Sequence, residues 1–172
     1  MDNVFENGRR QVEGCVAHLR KEVDAENDMR GWERRHDRLA EPITQIAAAE
    51  ELWKEFVEDE RSSIKQYLSA YEAAVRPLEA IAWDIHGCGS LDRPRERRLL
   101  KERDKLQGEA DAAMERPTVA FMQRTSTAFI GCLLQIAIIC DPASYGCSSY
   151  ADRKAAFERL LSAARVARER QV

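Results

Sequence analysis

Ala128-Phe129-Ile130-Gly131-Cys132-Leu133-Leu134-Gln135-Ile136-Ala137-Ile138-Ile139-Cys140 is the one strongly apolar run in a chain whose residues are 33% charged. Within it only the Gln135 amide must find a hydrogen-bond partner once buried. A helix that is apolar on every side is either a membrane span or the centre of a helical assembly. Spanning a bilayer takes about 20 apolar residues. This run is bounded by Gln123 and Arg124 on one side and Asp141-Pro142 on the other, so the central position in a bundle wins. The sequence predicts a central apolar helix over 117–140. It is expected to begin at Pro117, because proline suits the first helical turn and the residue before it avoids the α region.

Outward from that rod the chain keeps a helical period. Phe5, Val12, Val16, Leu19 and Val23 form one stripe. The phase then slips to Met29, Trp32, His36 and Leu39, with Gly31 near the slip marking a break or kink. Pro42 reads as the start of a long second helix through Ile46, Ala49, Trp53, Phe56, Ile64, Tyr67, Tyr71, Ala74, Leu78, Ile81 and Ile85, kinked at Pro77. The aromatics Trp53, Phe56, Tyr67, Tyr71 and Trp83 run down it, a stripe that usually reads as core. The segment 94–115 is thinly apolar, with Leu99, Leu106, Ala110 and Ala113. The last segment carries Phe157, Leu160, Leu161, Ala164 and Ala167. No period-2 strand pattern appears. The expected fold is all-α: an antiparallel bundle of about five helices around 117–140, with a long kinked second helix forming a hairpin extension. One domain, 1–172, is expected, with 1–60 as a hairpin arm and 61–172 as the bundle core. That division follows from about 65 Å of second helix set against roughly 35 Å of bundle.

Charge and cysteine usage narrow the class of function. The formal net charge is −3, which gives no global drive toward nucleic acid or an anionic membrane. The first ten residues carry acids and no apolar h-region, so a cytoplasmic protein with reduced thiols is expected. Cys15, Cys88, Cys132, Cys140 and Cys147 show no C-x-x-C spacing and no disulfide framework. No cofactor is implied. Arg outnumbers Lys, a composition that fits a bacterial or phage chain.

Candidate chemistry is sparse. Helices alternating up and down would bring the end loops 86–93 and 141–149 to one end of the bundle, because the third and fourth helices read as nearly equal in length. His86, Cys88 and Cys147 are then weak zinc candidates, since thiolate and imidazole are the ligands zinc prefers. A Cys–His nucleophile is the other chemical reading of the same residues. Against both, His-Gly-Cys-Gly is ordinary helix-stop chemistry, and no known ligand spacing is present. No metal site and no catalytic residue is assigned. A di-iron bundle built from Glu50, Glu51, Glu55, Glu58 and His36 fails, because it needs Glu-x-x-His motifs on two helices. The run Arg93 to Lys105 is locally basic, yet Glu96, Glu102 and Asp104 are interspersed and no aromatic interleaves it, so nucleic-acid binding is not expected. On the expected arm, Trp53 and Phe56 are candidate partner-binding anchors, with Glu55, Glu58 and Asp59 as an acidic surround.

Amphipathic charged helices without a chemical motif describe a non-catalytic protein–protein interaction protein: a small regulator, inhibitor or adaptor binding a protein partner through a helix face, with homodimerisation expected. The alternative is a small enzyme or metal- or ligand-binding bundle using the two end loops.

Overall fold

A computed structural model describes residues 2–25, 28–48, 58–88, 92–141 and 149–170. Among these residues the chain is all-α, with six helices: α1 Asp2–Ala25, α2 Met29–Ala47, α3 Glu58–Gly87, α4 Arg93–Met122, α5 Phe129–Cys140 and α6 Tyr150–Glu169. They divide into two compact units, one made of 1–61 and 124–172, the other of 62–123.

The first unit is organised by α5, every residue of which is buried. Helices α2 and α6 pack against it, and α1 lies against both of them. Met29, Trp32 and Leu39 of the stripe legible in sequence are buried on α2, His36 is half-buried, and Ile43 and Ile46 extend the buried stripe. The α6 stripe is Phe157, Leu160, Leu161, Ala164 and Ala167. Trp32 meets Phe157 edge-on, ring centroids 6.3 Å apart. Burying one such side chain contributes about 1.5–3 kcal/mol, so the α2–α5–α6 layer carries most of this unit's stability.

Polar groups then fix the edges of that layer. Asp28 caps α2, its carboxylate accepting from Arg30 N at 3.1 Å. At the start of α6, Ser149 Oγ accepts from Asp152 N at 3.1 Å and donates to Asp152 Oδ2 at 2.6 Å. A helix leaves its last carbonyls without helical partners. At the end of α5, Arg153 donates through Nε and Nη2 to Ile139 O at 3.1 and 2.9 Å, and Nη2 also reaches Glu33 at 2.6 Å. One half-buried guanidinium thus joins α2, α5 and α6. On the outer edge, Arg168 donates to Asp24 and Arg35 to Glu22, linking α6 with α1 and α2 with α1.

The second unit is a helical hairpin, α3 from Ser62 onward and α4 to its end. Tyr67, early in α3, packs on Phe121 near the end of α4, with centroids 5.4 Å apart, so the two run antiparallel. Its interior is thin: Ile64, Tyr67 and Ile81 of α3 and Ala110 and Phe121 of α4 are buried. Asp92 caps α4 by accepting from Arg95 N at 3.3 Å.

Several expectations change against this arrangement. The central apolar helix begins at Phe129, not Pro117; residues 117–122 complete α4, and 123–128 form a connector. Pro42 and Pro117 lie inside α2 and α4 and start nothing, while Pro77 lies inside a continuous α3. A proline removes one N–H and leaves the carbonyl four residues earlier without its partner. At all three sites that carbonyl belongs to an exposed residue, Arg38, Ala73 or Ala113, where water can take its place. Ile43 and Ile46, expected at the head of a second helix, belong to α2, and residues 49–57 of that expected helix lie outside the described residues. The arm and the core also exchange places. α2 packs on the apolar helix and α1 on α2 and α6, and the hairpin unit is 62–123, not 1–60.

Candidate interaction surface

α3 carries two unlike faces. At about 100° per residue, Ile64, Tyr67, Tyr71, Leu78, Ile81 and Ile85 share one, and all are buried or half-buried. Opposite them lie Ser62, Lys65, Ser69, Glu72, Ala73, Arg76, Ala80, Trp83 and Gly87, all exposed. Trp83 is 75% exposed, the most open large apolar side chain among the described residues. His86 stands edge-on to it at 6.4 Å. A tryptophan offers more apolar area than any other side chain, and leaving it in water forgoes that stabilisation. Arg76 donates to Glu72 one turn earlier, both side chains remaining largely exposed.

The outward face of α4 is different in kind. Arg97, Arg98, Lys101 and Lys105 project together from its first half, all exposed. Of the acids interspersed in sequence, Glu102 and Asp104 fall on the flanks of that face at about 100° per residue, and Glu96 lies on the far side. Their partners are local: Arg103 pairs with Asp104 at 2.8 Å and Lys105 with Glu109 at 3.5 Å.

The residues singled out in sequence fall into three groups. Trp53, Glu55, Phe56 and Cys147 lie outside the described residues. Glu58 and Asp59 open α3 as exposed acids, Glu58 3.5 Å from Arg61 and Asp59 3.9 Å from Arg124. Their neighbour Glu60 turns inward, accepting from Thr127 N at 2.6 Å and Thr127 Oγ1 at 2.8 Å. His86 is exposed on the last turn of α3, and the backbone N–H of Cys88 donates to Ile85 O at 3.1 Å, the helix-stop role its sequence suggested. The equal lengths behind a meeting of the two end loops are absent, since α4 has 30 residues and α5 has 12.

Among the described residues no group of three or more His, Cys, Asp and Glu is placed to hold a metal ion. The chain does hold one Glu-x-x-His, Glu33 to His36 on α2, and there Glu33 accepts from Arg153. Cys132 and Cys140 sit within α5, where burial pushes each thiol up to about 12. Glu60 adds to the rise at Cys132 and Glu33 to that at Cys140. Both thiols are closed off from solvent, and a thiol held above neutrality carries little thiolate.

No described helix is long and apolar enough to cross a membrane. Comparison of the chain with models of protein families, with curated proteins and with solved structures finds no match.

What sequence reading misplaced is Trp83, which it set with Tyr67 and Tyr71 in one core stripe. It stands at the edge of a recognisable period: Leu78, Ile81 and Ile85 set the packed face, and Trp83 falls outside it by about half a turn. An aromatic out of phase with its own helix's apolar stripe was the available signal.

Proposed function

We propose that this chain is a non-catalytic helical interaction protein, a small cytoplasmic regulator, inhibitor or adaptor that binds a protein partner through the outward face of α3. The observation that carries the reading is Trp83, 75% exposed on a helix whose other large apolar side chains are turned inward. Aromatic side chains on an otherwise polar surface are the usual energetic anchors of protein contacts. The hairpin's thin interior supports the same reading, because a surface that buries little within its own unit retains area to bury against something else. The local chemistry points the same way: the α5 thiols are buried, and His86 stands edge-on to Trp83.

A photo-crosslinking residue placed at position 83 in the producing cell tests this. Discrete protein adducts are expected from position 83 and not from Gly14 on α1, whose position meets nothing within 4 Å. Identical adduct patterns from the two positions would remove α3 as the docking face.

A further inference from the structure

The outward face of α3 is complementary to its own reverse. Along one flank, at about 100° per residue, stand Lys65, Glu72, Arg76 and Trp83. A second α3 laid antiparallel, with a two-fold axis level with Ala74, sets residue 72 opposite residue 76 and residue 65 opposite residue 83. A two-fold axis of this kind keeps a flank on its own side, so these pairs meet directly. At the centre, Glu72 and Arg76, already joined within one helix, would face Arg76 and Glu72 of the second copy, four alternating charges around the axis. Toward each end, the Lys65 ammonium would lie over the ring of Trp83, an arrangement that the negative face of an indole favours. Between these contacts Ser69, Ala73 and Ala80 are short enough for two backbones to approach to the roughly 8–10 Å of packed helices.

We propose that the outward face of α3 binds the same face of a second copy of this chain, antiparallel, about a two-fold axis level with Ala74. The inference rests on the reading of that face as a docking surface and names its occupant. An isologous contact requires a self-complementary patch, and this one is self-complementary both in charge and in its pairing of cation with aromatic ring. From Lys65 to Trp83 the contact runs about 27 Å. In a parallel pair the two-fold axis runs along the helices and carries this flank to the opposite side, so these pairs form only in the antiparallel dimer.

Sedimentation equilibrium of the full chain across rising concentration tests it, with circular dichroism as the control for folding. The mass of the wild type should climb from 19.6 kDa toward twice that value. Trp83→Asp and Arg76→Glu should each keep native helicity and weaken dimerisation about tenfold or more. The double variant Glu72→Arg/Arg76→Glu, which restores alternation around the axis, should recover most of the wild-type dimer. Ala80→Glu, a bulky charge between the central charges and the Trp83 end of the contact, provides a second disruption that touches no apolar core. A wild type that stays at 19.6 kDa up to about millimolar concentration overturns the proposal. So does a dimer indifferent to Trp83→Asp and Ala80→Glu, or a double variant no better than Arg76→Glu. Position-83 adducts to a different protein, found with a monomeric wild type, would leave α3 as a docking face and reject only the second copy.

Discussion

At the scale of single residues, Gln135 does the most to make one helix into two. Its side chain sits at 1% exposure inside the most apolar helix of the chain. There Oε1 accepts from Ser126 N at 2.9 Å and Nε2 donates to Arg124 O at 2.6 Å. The connector 123–128 leaves the helical path, so its backbone groups lose their helical partners, and the buried ones must be satisfied elsewhere. Ser126 is buried and Cys132 Sγ donates to its carbonyl at 3.1 Å. Gln135→Met, close in volume and more apolar, leaves the buried Ser126 N–H without its acceptor. It should cost about 1–3 kcal/mol in urea unfolding. Leu133→Ala, a simple cavity at 0% exposure, should cost roughly 2–5 kcal/mol. Gain of stability in Gln135→Met would mean that the amide is incidental to the connector.

At the scale of elements, what was legible depended on whether the signal was burial or punctuation. The stripes of α2 and α6 and the apolar content of α5 follow from period alone, because a helix buried on one face must repeat its apolar positions there. Breaks were harder. The phase slip near Gly31 is a true break, and Asp28 caps α2 beside it. Pro42 and Pro117 misled, because an interior proline costs little when the carbonyl it orphans is wetted. The polar cluster Arg124-Thr125-Ser126-Thr127 was the better stop signal, and Glu60 fixes it from 67 residues away, a contact that no local pattern contains. For α4 the local charges work against the helix. Arg93, Arg97, Lys101 and Lys105 are spaced four apart, so each neighbouring pair repels across one turn, and cations in the first turn oppose the helix dipole. Lys101→Glu turns two repulsive pairs into attractive ones. It should stabilise α4 by about 0.4–1 kcal/mol, read as slower amide exchange across residues 97–105. Faster exchange would show that this row is held by something other than its own helix.

At the scale of the whole molecule, the chain leaves the first unit at Arg61 and re-enters it at Arg124. Those two points are close, because Asp59 reaches Arg124 at 3.9 Å and Glu60 bonds Thr127 through both oxygens. A segment whose ends emerge side by side from another unit has the geometry of an insertion, which sequence order alone conceals. Insertions of this kind can be removed when the remaining core is complete. The first unit holds all of α5 and the stripes of α2 and α6 that cover it, whereas the hairpin has only a thin interior. Replacing 62–123 by a short Gly-Ser linker should therefore leave a protein that unfolds cooperatively in urea, with Trp32 still shielded from quencher. Closing a loop between adjacent ends costs little, since each doubling of loop length adds only about 0.6 kcal/mol, so the linker itself should weigh little on stability. The isolated segment 62–123, with its thin core, should be weakly helical as a monomer and gain helicity with concentration if two copies pair through α3. An unfolded product from the linker variant would show that 1–61 and 124–172 do not form a self-sufficient core.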